Sequence, residues 1–320
     1  VLEQITFYDK HPPTSDATAE VMAGLVATSK TIPPKFFYDE RGSELFTEIT
    51  RQPEYYPTRT EMKLLQDKSS HLRSLVGEKC VVIEYGSGSS EKIRLLLERL
   101  RPSIYAPLDI SKDYLAKSAE DVACEFPWLE IRATCIDYSH DFDLPFTAPG
   151  RKLGFFPGSS IGNFSRIDAR EFLARVRDQL GDDGGLLVGV DMKKDRAMLE
   201  RAYNDEAGVT AAFNLNVLNH LNRDYGGNFD VDCFDHLAEY NEEEGCIQMF
   251  LVSKVNQRVK LGETEIELRA GERIHTENSH KYAADEFLAM AADAGFLDNE
   301  CWQDENGWFS LFYLHGQKAA

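Results

Sequence analysis

An α/β fold built on an open, mostly parallel sheet is what this 320-residue sequence predicts, and three observations carry that expectation. Over residues 60–192, apolar runs of strand length alternate with stretches of helical period, as parallel strands joined by right-handed crossovers require. The first of those strands runs into a glycine-rich turn, YGSGSSEK, at residues 85–92. Acids close the next two strands, Asp109 in YAPLDIS and Asp137 in ATCIDYS. Together these parts make a Rossmann-like arrangement.

The elements follow in order. Residues 17–29 (ATAEVMAGLVATS) carry the apolar spacing of a helix. Residues 31–61 are dense in aromatics, proline and charge; Pro33, Pro34, Pro53 and Pro57 are expected to stop any long helix there. Helix 61–76 then leads into strand 81–88, helix 91–100 into strand 105–111, and helix 112–126 into strand 130–139. Residues 151–164 supply a fourth strand, and helix 168–180 precedes a fifth at 185–192. After Lys193 the alternation breaks. Residues 195–227 look helical in two pieces, and residues 246–277 look like an antiparallel meander, with turn signals at Gly262 and Gly271. Helix 284–296 and a strand pair within 300–316 close the chain, the pair forming an antiparallel edge. We place the sheet domain at residues 59–194 and 281–320. Residues 1–58 and 195–280 then form an N-terminal segment and an inserted α+β substrate-binding domain, expected to cover the crevice.

Composition narrows the function. Lys and Arg total 35 against 54 Asp and Glu, a formal charge of −19, which repels nucleic-acid phosphates and anionic lipid. No apolar run approaches the roughly 20 residues that span a bilayer. The opening residues show no basic start followed by an apolar core, so no secretory signal is expected. Six scattered cysteines without a C-x-x-C pair suit a reducing, cytoplasmic compartment, and the eight histidines show no metal-ligand spacing. No metal, nucleic-acid or membrane partner is expected; a monomer acting on a small molecule is.

Gly86 and Gly88 stand where the first strand must turn sharply into a helix, and where a ligand can approach backbone unhindered by Cβ. Glu84 ends that strand, placed to order the turn or to reach a cationic cofactor group. Asp109 lies about 20 residues further on, the separation of an acid that takes ribose hydroxyls. Asp137 and Tyr138 could bracket adenine, one by hydrogen bond and one by packing. A dinucleotide fingerprint would put a third glycine near position 91, but Glu91 stands there and would repel a pyrophosphate. Lys92 instead offers a cation to a single carboxylate, such as the methionyl end of S-adenosylmethionine. The spacing therefore favours a methyltransferase over a nicotinamide-dependent oxidoreductase. The bland alternative is that any tight strand–helix turn needs glycines and that strand-terminal acids are simply solvated.

Residues 33–61 (PPKFFYDERGSELFTEITRQPEYYPTRTE), YGSGSSEK, GSSIGNF, AYNDEAGVTAAFNLNVL and HTENSHKY together resemble the histidine Nα-methyltransferases of ergothioneine biosynthesis, over nearly the whole chain. The resemblance implies a class I methyltransferase sheet with a family-specific substrate domain. It implies trimethylation of the α-amino nitrogen of L-histidine to hercynine, with S-adenosyl-L-methionine as cofactor and the methylated histidines as intermediates. It further implies that Tyr38 lies near the reacting amine and Phe46 near the cofactor. Tyr55 and Tyr203 would hold the substrate carboxylate, Asn163 the amino-acid backbone atoms, Glu277 and Ser279 the imidazole, and Met249 the side of that ring. Methylation of another amino acid, such as tryptophan, is the alternative.

The chemistry is consistent with those assignments. Methyl transfer to nitrogen needs a neutral amine and a fixed line of approach but no covalent enzyme intermediate, so no strong general base is assigned; Tyr38 is a candidate proton relay. On a strand, Glu277 and Ser279 face the same side, and a carboxylate with a hydroxyl matches the N–H and the second nitrogen of an imidazole. From spacing alone, a solvated strand face accounts for Glu277 and Ser279 better than a binding site does, and core packing would account for the aromatics; the resemblance reverses that weighting.

Overall fold

The computed structural model describes residues 4–10, 14–87 and 91–316; Gly88 lies outside them. In chain order the strands are β1 (Ile5–Asp9), β2 (Lys30–Thr31), β3 (Val81–Tyr85), β4 (Ile104–Asp109), β5 (Glu130–Cys135), β6 (Lys152–Phe156) and β7 (Gly185–Asp191). They continue with β8 (Phe234–Asn241), β9 (Cys246–Ser253), β10 (Gln257–Leu261), β11 (Thr264–Leu268), β12 (Arg273–His280), β13 (Asp298–Gln303) and β14 (Phe309–His315). The helices are α1 (Thr14–Val26), α2 (Glu40–Ile49), α3 (Tyr56–Val76), α4 (Glu91–Leu100), α5 (Lys112–Glu125), α6 (Arg166–Leu180), α7 (Arg196–Ala202), α8 (Val209–Asp224) and α9 (Ala284–Asp293). The chain divides into two units, one of Val1–His11, Pro57–Lys193 and His280–Ala320, the other of Pro12–Tyr56 and Lys194–Ser279.

The first unit is organised by a sheet of strand order β1-β5-β4-β3-β6-β7-β14-β13. The strands from β1 to β7 pair in parallel, while β14 runs antiparallel to β7 and β13 antiparallel to β14. Build-out proceeds from β3 through β4 to β5 on one side and through β6 to β7 on the other. The order therefore reverses between β3 and β6, and ligands of such sheets bind beyond the carboxyl ends of the strands at that point. Both faces are covered, which is why the strands are continuous apolar runs instead of alternating ones. Val82, Tyr105, Ile131 and Leu153 pack with Leu65, Leu72, Leu96 and Leu115 of α3, α4 and α5. Val81, Ile83, Ala106 and Phe156 turn the other way, onto Phe172, Leu173 and Val176 of α6 and Phe287 of α9.

In the second unit, β2-β12-β9-β8 form a four-stranded sheet and β10-β11 a separate antiparallel hairpin. Helix α8 packs on α2, β8 and β9, burying Phe213, Asn214, Val217, Leu218 and Leu221.

Four expectations are corrected. Strand β1, unassigned from the sequence, extends the first unit's sheet beside β5, so residues 1–58 do not belong wholly with the substrate part. Pro57 does not stop a helix but sits in the first turn of the 21-residue α3, where its missing N–H has no intrahelical partner to lose. The meander is broken, since β9 neighbours β12 while β10 and β11 form a separate two-stranded sheet through the Gly262 turn. Strand β8 was not foreseen at all; its burial is weakly alternating, and its sequence FDHLAEYN gives little pattern to read.

Candidate functional site

The sequence-predicted residues fall into two groups. Gly86, Lys92, Asp109, Asp137, Tyr138 and Asn163 belong to the first unit; Tyr38, Phe46, Tyr55, Tyr203, Met249, Glu277 and Ser279 belong to the second. Phe46, expected beside the cofactor, thus travels with the substrate residues.

In the first unit, Gly86 follows β3 with φ +77°, and a Cβ there would come 2.8 Å from the Tyr138 hydroxyl. Glycine is demanded twice, by backbone conformation and by the approach of the tyrosine. Glu84, fully buried, accepts a hydrogen bond from the Tyr105 hydroxyl, so it orders the strand end. Asp109 ends β4 half-buried and accepts from the Ser111 N–H at 2.8 Å; desolvation nevertheless pushes its carboxyl up to about 7. Asp137, 8% exposed, accepts from the Ser139 N–H at 3.1 Å and from its hydroxyl. Tyr138 meets the rings of Tyr85, Phe156 and Phe172, and burial raises its hydroxyl pKa. Asn163 closes the short 3₁₀ turn Ser160–Asn163 that follows β6.

Lys92 has a protein partner that the sequence did not reveal. It lies on the buried face of α4, and its ammonium donates to Glu61 Oε2 at 2.5 Å, with side-chain exposures of 9% and 0%. It is therefore no bare cation, because a buried ammonium requires a counter-charge. Glu61 escaped the sequence reading although a signal was present: Glu61, Leu64 and Leu65 share one helical face, which placed a carboxylate on the core side of α3.

In the second unit, a run of aromatic rings joins residues far apart in sequence. Tyr38 meets Phe46 edge-on at 6.2 Å, Phe46 meets Tyr55 at 6.4 Å, and Tyr55 meets Tyr203 at 6.2 Å. The run ends at Ser279, whose hydroxyl shares a 2.7 Å hydrogen bond with that of Tyr203. Tyr203 is no surface aromatic: it caps the C-terminus of α7 and is 8% exposed. On β12, Glu277 and Ser279 are 7% and 4% exposed, so the solvated-face alternative fails, and Met249 on β9 is buried as well.

Supporting residues that the sequence did not reveal hold this group. Asp39 caps α2 by accepting from the Gly42 N–H at 2.7 Å, accepts from the Asn216 amide at 2.9 Å and pairs with Arg223, tying the KFFYD segment to α8. His236 bonds the Tyr203 carbonyl through Nε2 at 2.9 Å and faces the Asn214 amide through Nδ1 at 2.9 Å. Since the carbonyl only accepts and the Asn214 amide nitrogen only donates, the ring is neutral and protonated at Nε2; burial lowers its pKa accordingly. Thr276 donates to Asn214 Oδ1 at 2.8 Å and approaches the Met249 carbonyl at 3.1 Å. Among the described residues no cluster could hold a metal ion, and no helix is long and apolar enough to cross a membrane.

A family model of S-adenosylmethionine-dependent, histidine-specific methyltransferases matches residues 17–316. The chain belongs to that family. It is 41% identical over 299 residues to the histidine N-alpha-methyltransferase of Mycolicibacterium smegmatis, covering 91% of this chain and 92% of that one. Identity and coverage are the same for the histidine N-alpha-methyltransferase of Mycobacterium tuberculosis. Ergothioneine biosynthesis protein 1 of Neurospora crassa is 32% identical over 282 residues, 85% of this chain but 32% of that longer protein. The first unit fits the family's cofactor: the strand order is that of a class I methyltransferase, Gly86 supplies the positive-φ turn at the switch point with the Tyr138 ring against it, and Asp109 offers a carboxyl suited to hydroxyl donors.

Proposed function

We propose that this protein trimethylates the α-amino nitrogen of L-histidine, giving hercynine, the first step of ergothioneine biosynthesis. The observation that carries the reading is the buried polar set on β12: Glu277 and Ser279 on one face, with the Tyr203 hydroxyl on Ser279. Glu277 accepts from an imidazole N–H, while the Ser279 hydroxyl donates to the second ring nitrogen. An indole has one N–H and no acceptor nitrogen, so tryptophan would leave the serine proton unmatched in a buried site. The names of the relatives at 41% identity support the same choice.

S-adenosylmethionine supplies an electrophilic methyl group on a sulfonium sulfur. The protein's task is to present a neutral amine. Tyr55 and Tyr203 donate to the substrate carboxylate, Asn163 orients the amino-acid backbone atoms, and Met249 packs on the imidazole. Phe46 lies against the cofactor, and Gly86, Lys92, Asp109, Asp137 and Tyr138 hold its carboxylate, ribose and adenine ends. Before each transfer one proton must leave the nitrogen, through the Tyr38 hydroxyl or water. The trimethylated product has no proton left to lose, so the sequence stops there. The aromatic run from Tyr38 to Tyr203 suits the growing quaternary cation.

Calorimetric titration with S-adenosylhomocysteine present tests this. Histidine and its mono- and dimethyl forms should all bind, and Glu277→Ala should weaken histidine at least tenfold. Unchanged binding by that variant would remove the imidazole assignment.

A further inference from the structure

We infer that Glu61 is a positioning residue of the cofactor site, which sets Lys92 and the turn after β6 for the carboxylate of S-adenosylmethionine. The inference rests on the reading that Lys92 serves that carboxylate. Glu61 is fully buried in α3, at the end of the YYPTRTE motif, and no substrate or cofactor role accounts for it. Its carboxylate accepts from two elements that border the switch point. Lys92 of α4 donates to Oε2 at 2.5 Å. The Gly158 N–H, just past β6, donates to Oε2 at 2.9 Å and lies 3.1 Å from Oε1.

The fold makes room for this group. A Cβ on Gly189, inside β7, would collide with Glu61 Oε1, so a strand interior gives up its side chain to admit a carboxylate. Burying two charges costs desolvation that well-packed apolar residues would avoid, so such a pair is poor evidence of a stabilising device. Its location is the better guide: it links α3, α4 and the loop leaving β6, at the sheet edge where ligands bind. An ammonium has three N–H donors and Glu61 takes one, so Lys92 keeps donors for a second carboxylate. Without Glu61, the buried ammonium loses the counter-charge that holds it in place.

The test compares two ligands that share adenosine and differ at the methionyl end: S-adenosylhomocysteine and 5′-methylthioadenosine, which lacks the amino-carboxylate. Calorimetry on the wild type, Glu61→Gln and the neutral pair Glu61→Gln/Lys92→Gln gives the affinity ratio of the two, beside thermal melts of each variant. The wild type should prefer S-adenosylhomocysteine; a wild type without that preference sinks the reading of Lys92 itself. Glu61→Gln should lose at least tenfold in S-adenosylhomocysteine affinity and less than threefold in methylthioadenosine affinity. The double variant should regain melting temperature without regaining the preference. A Glu61→Gln protein that keeps the wild-type ratio, or weakens both ligands equally, overturns the inference; so does a double variant that regains it.

Discussion

Asp109 gives the cofactor site a signature in pH. Its carboxyl is raised to about 7 in the folded chain, whereas an unfolded aspartate titrates near about 4. Its contribution to folding stability is thus complete below about pH 4 and is lost as pH rises through about 7. Ribose hydroxyls donating to the carboxylate favour the charged form, so affinity for S-adenosylhomocysteine should rise as pH climbs through about 7. Calorimetry near pH 6 in buffers of different ionisation enthalpy should show proton release on binding. A pH-flat affinity without proton release would take Asp109 out of the site. Gly86 offers a second test at this scale: Gly86→Ala places a side chain at φ +77° and against Tyr138, with a backbone cost of about 1–2 kcal/mol. A lowered melting temperature and at least tenfold weaker cofactor binding are expected; wild-type affinity in the variant would contradict the role given to this turn.

At the scale of elements, the chain His236–Asn214–Thr276 joins β8, α8 and β12 and reaches the backbones of both Tyr203 and Met249. His236→Leu leaves buried polar groups unmatched at about 1–3 kcal/mol each. It should weaken histidine binding at least tenfold while sparing S-adenosylhomocysteine; a loss of melting temperature with histidine affinity intact would make the chain merely structural. Because the folded state holds this imidazole neutral, its stabilisation is full above about pH 6.5 and declines as pH falls below that value. These elements also show what the sequence could and could not say. The buried strands β3 to β7 and their helices were legible because both faces are covered and the apolar runs are unbroken. β1 and β8 were not, since half-exposed strands of mixed composition carry little period. Glu277 and Ser279 could be placed on one strand face, but their burial depends on neighbours distant in sequence, such as β9 beside β12 and Tyr203 on Ser279, which no local pattern encodes. Glu61 was missed because a glutamate in a helix is by default solvated.

At the scale of the molecule, the parallel sheet and its antiparallel edge followed from the alternation of elements and the inserted unit from the break after Lys193, whereas the strand order and its switch point are set by pairings that only the structure shows. The formal charge of −19 adds a property of the whole. Self-repulsion among excess carboxylates destabilises the folded state and is screened by salt. The melting temperature should therefore rise as salt is raised from about 10 mM to about 0.2 M, which scanning calorimetry would record; a fall would show that attractive ion pairs outweigh the net charge. The central claim is that the α-amino nitrogen of histidine receives three methyl groups. Fragmentation mass spectrometry of histidine incubated with enzyme and methyl-labelled S-adenosylmethionine tests it most directly. Mono-, di- and trimethylated histidine with every label on the α-nitrogen are expected; label on the imidazole ring, or histidine left unmodified by cofactor-bound enzyme, would overturn the assignment.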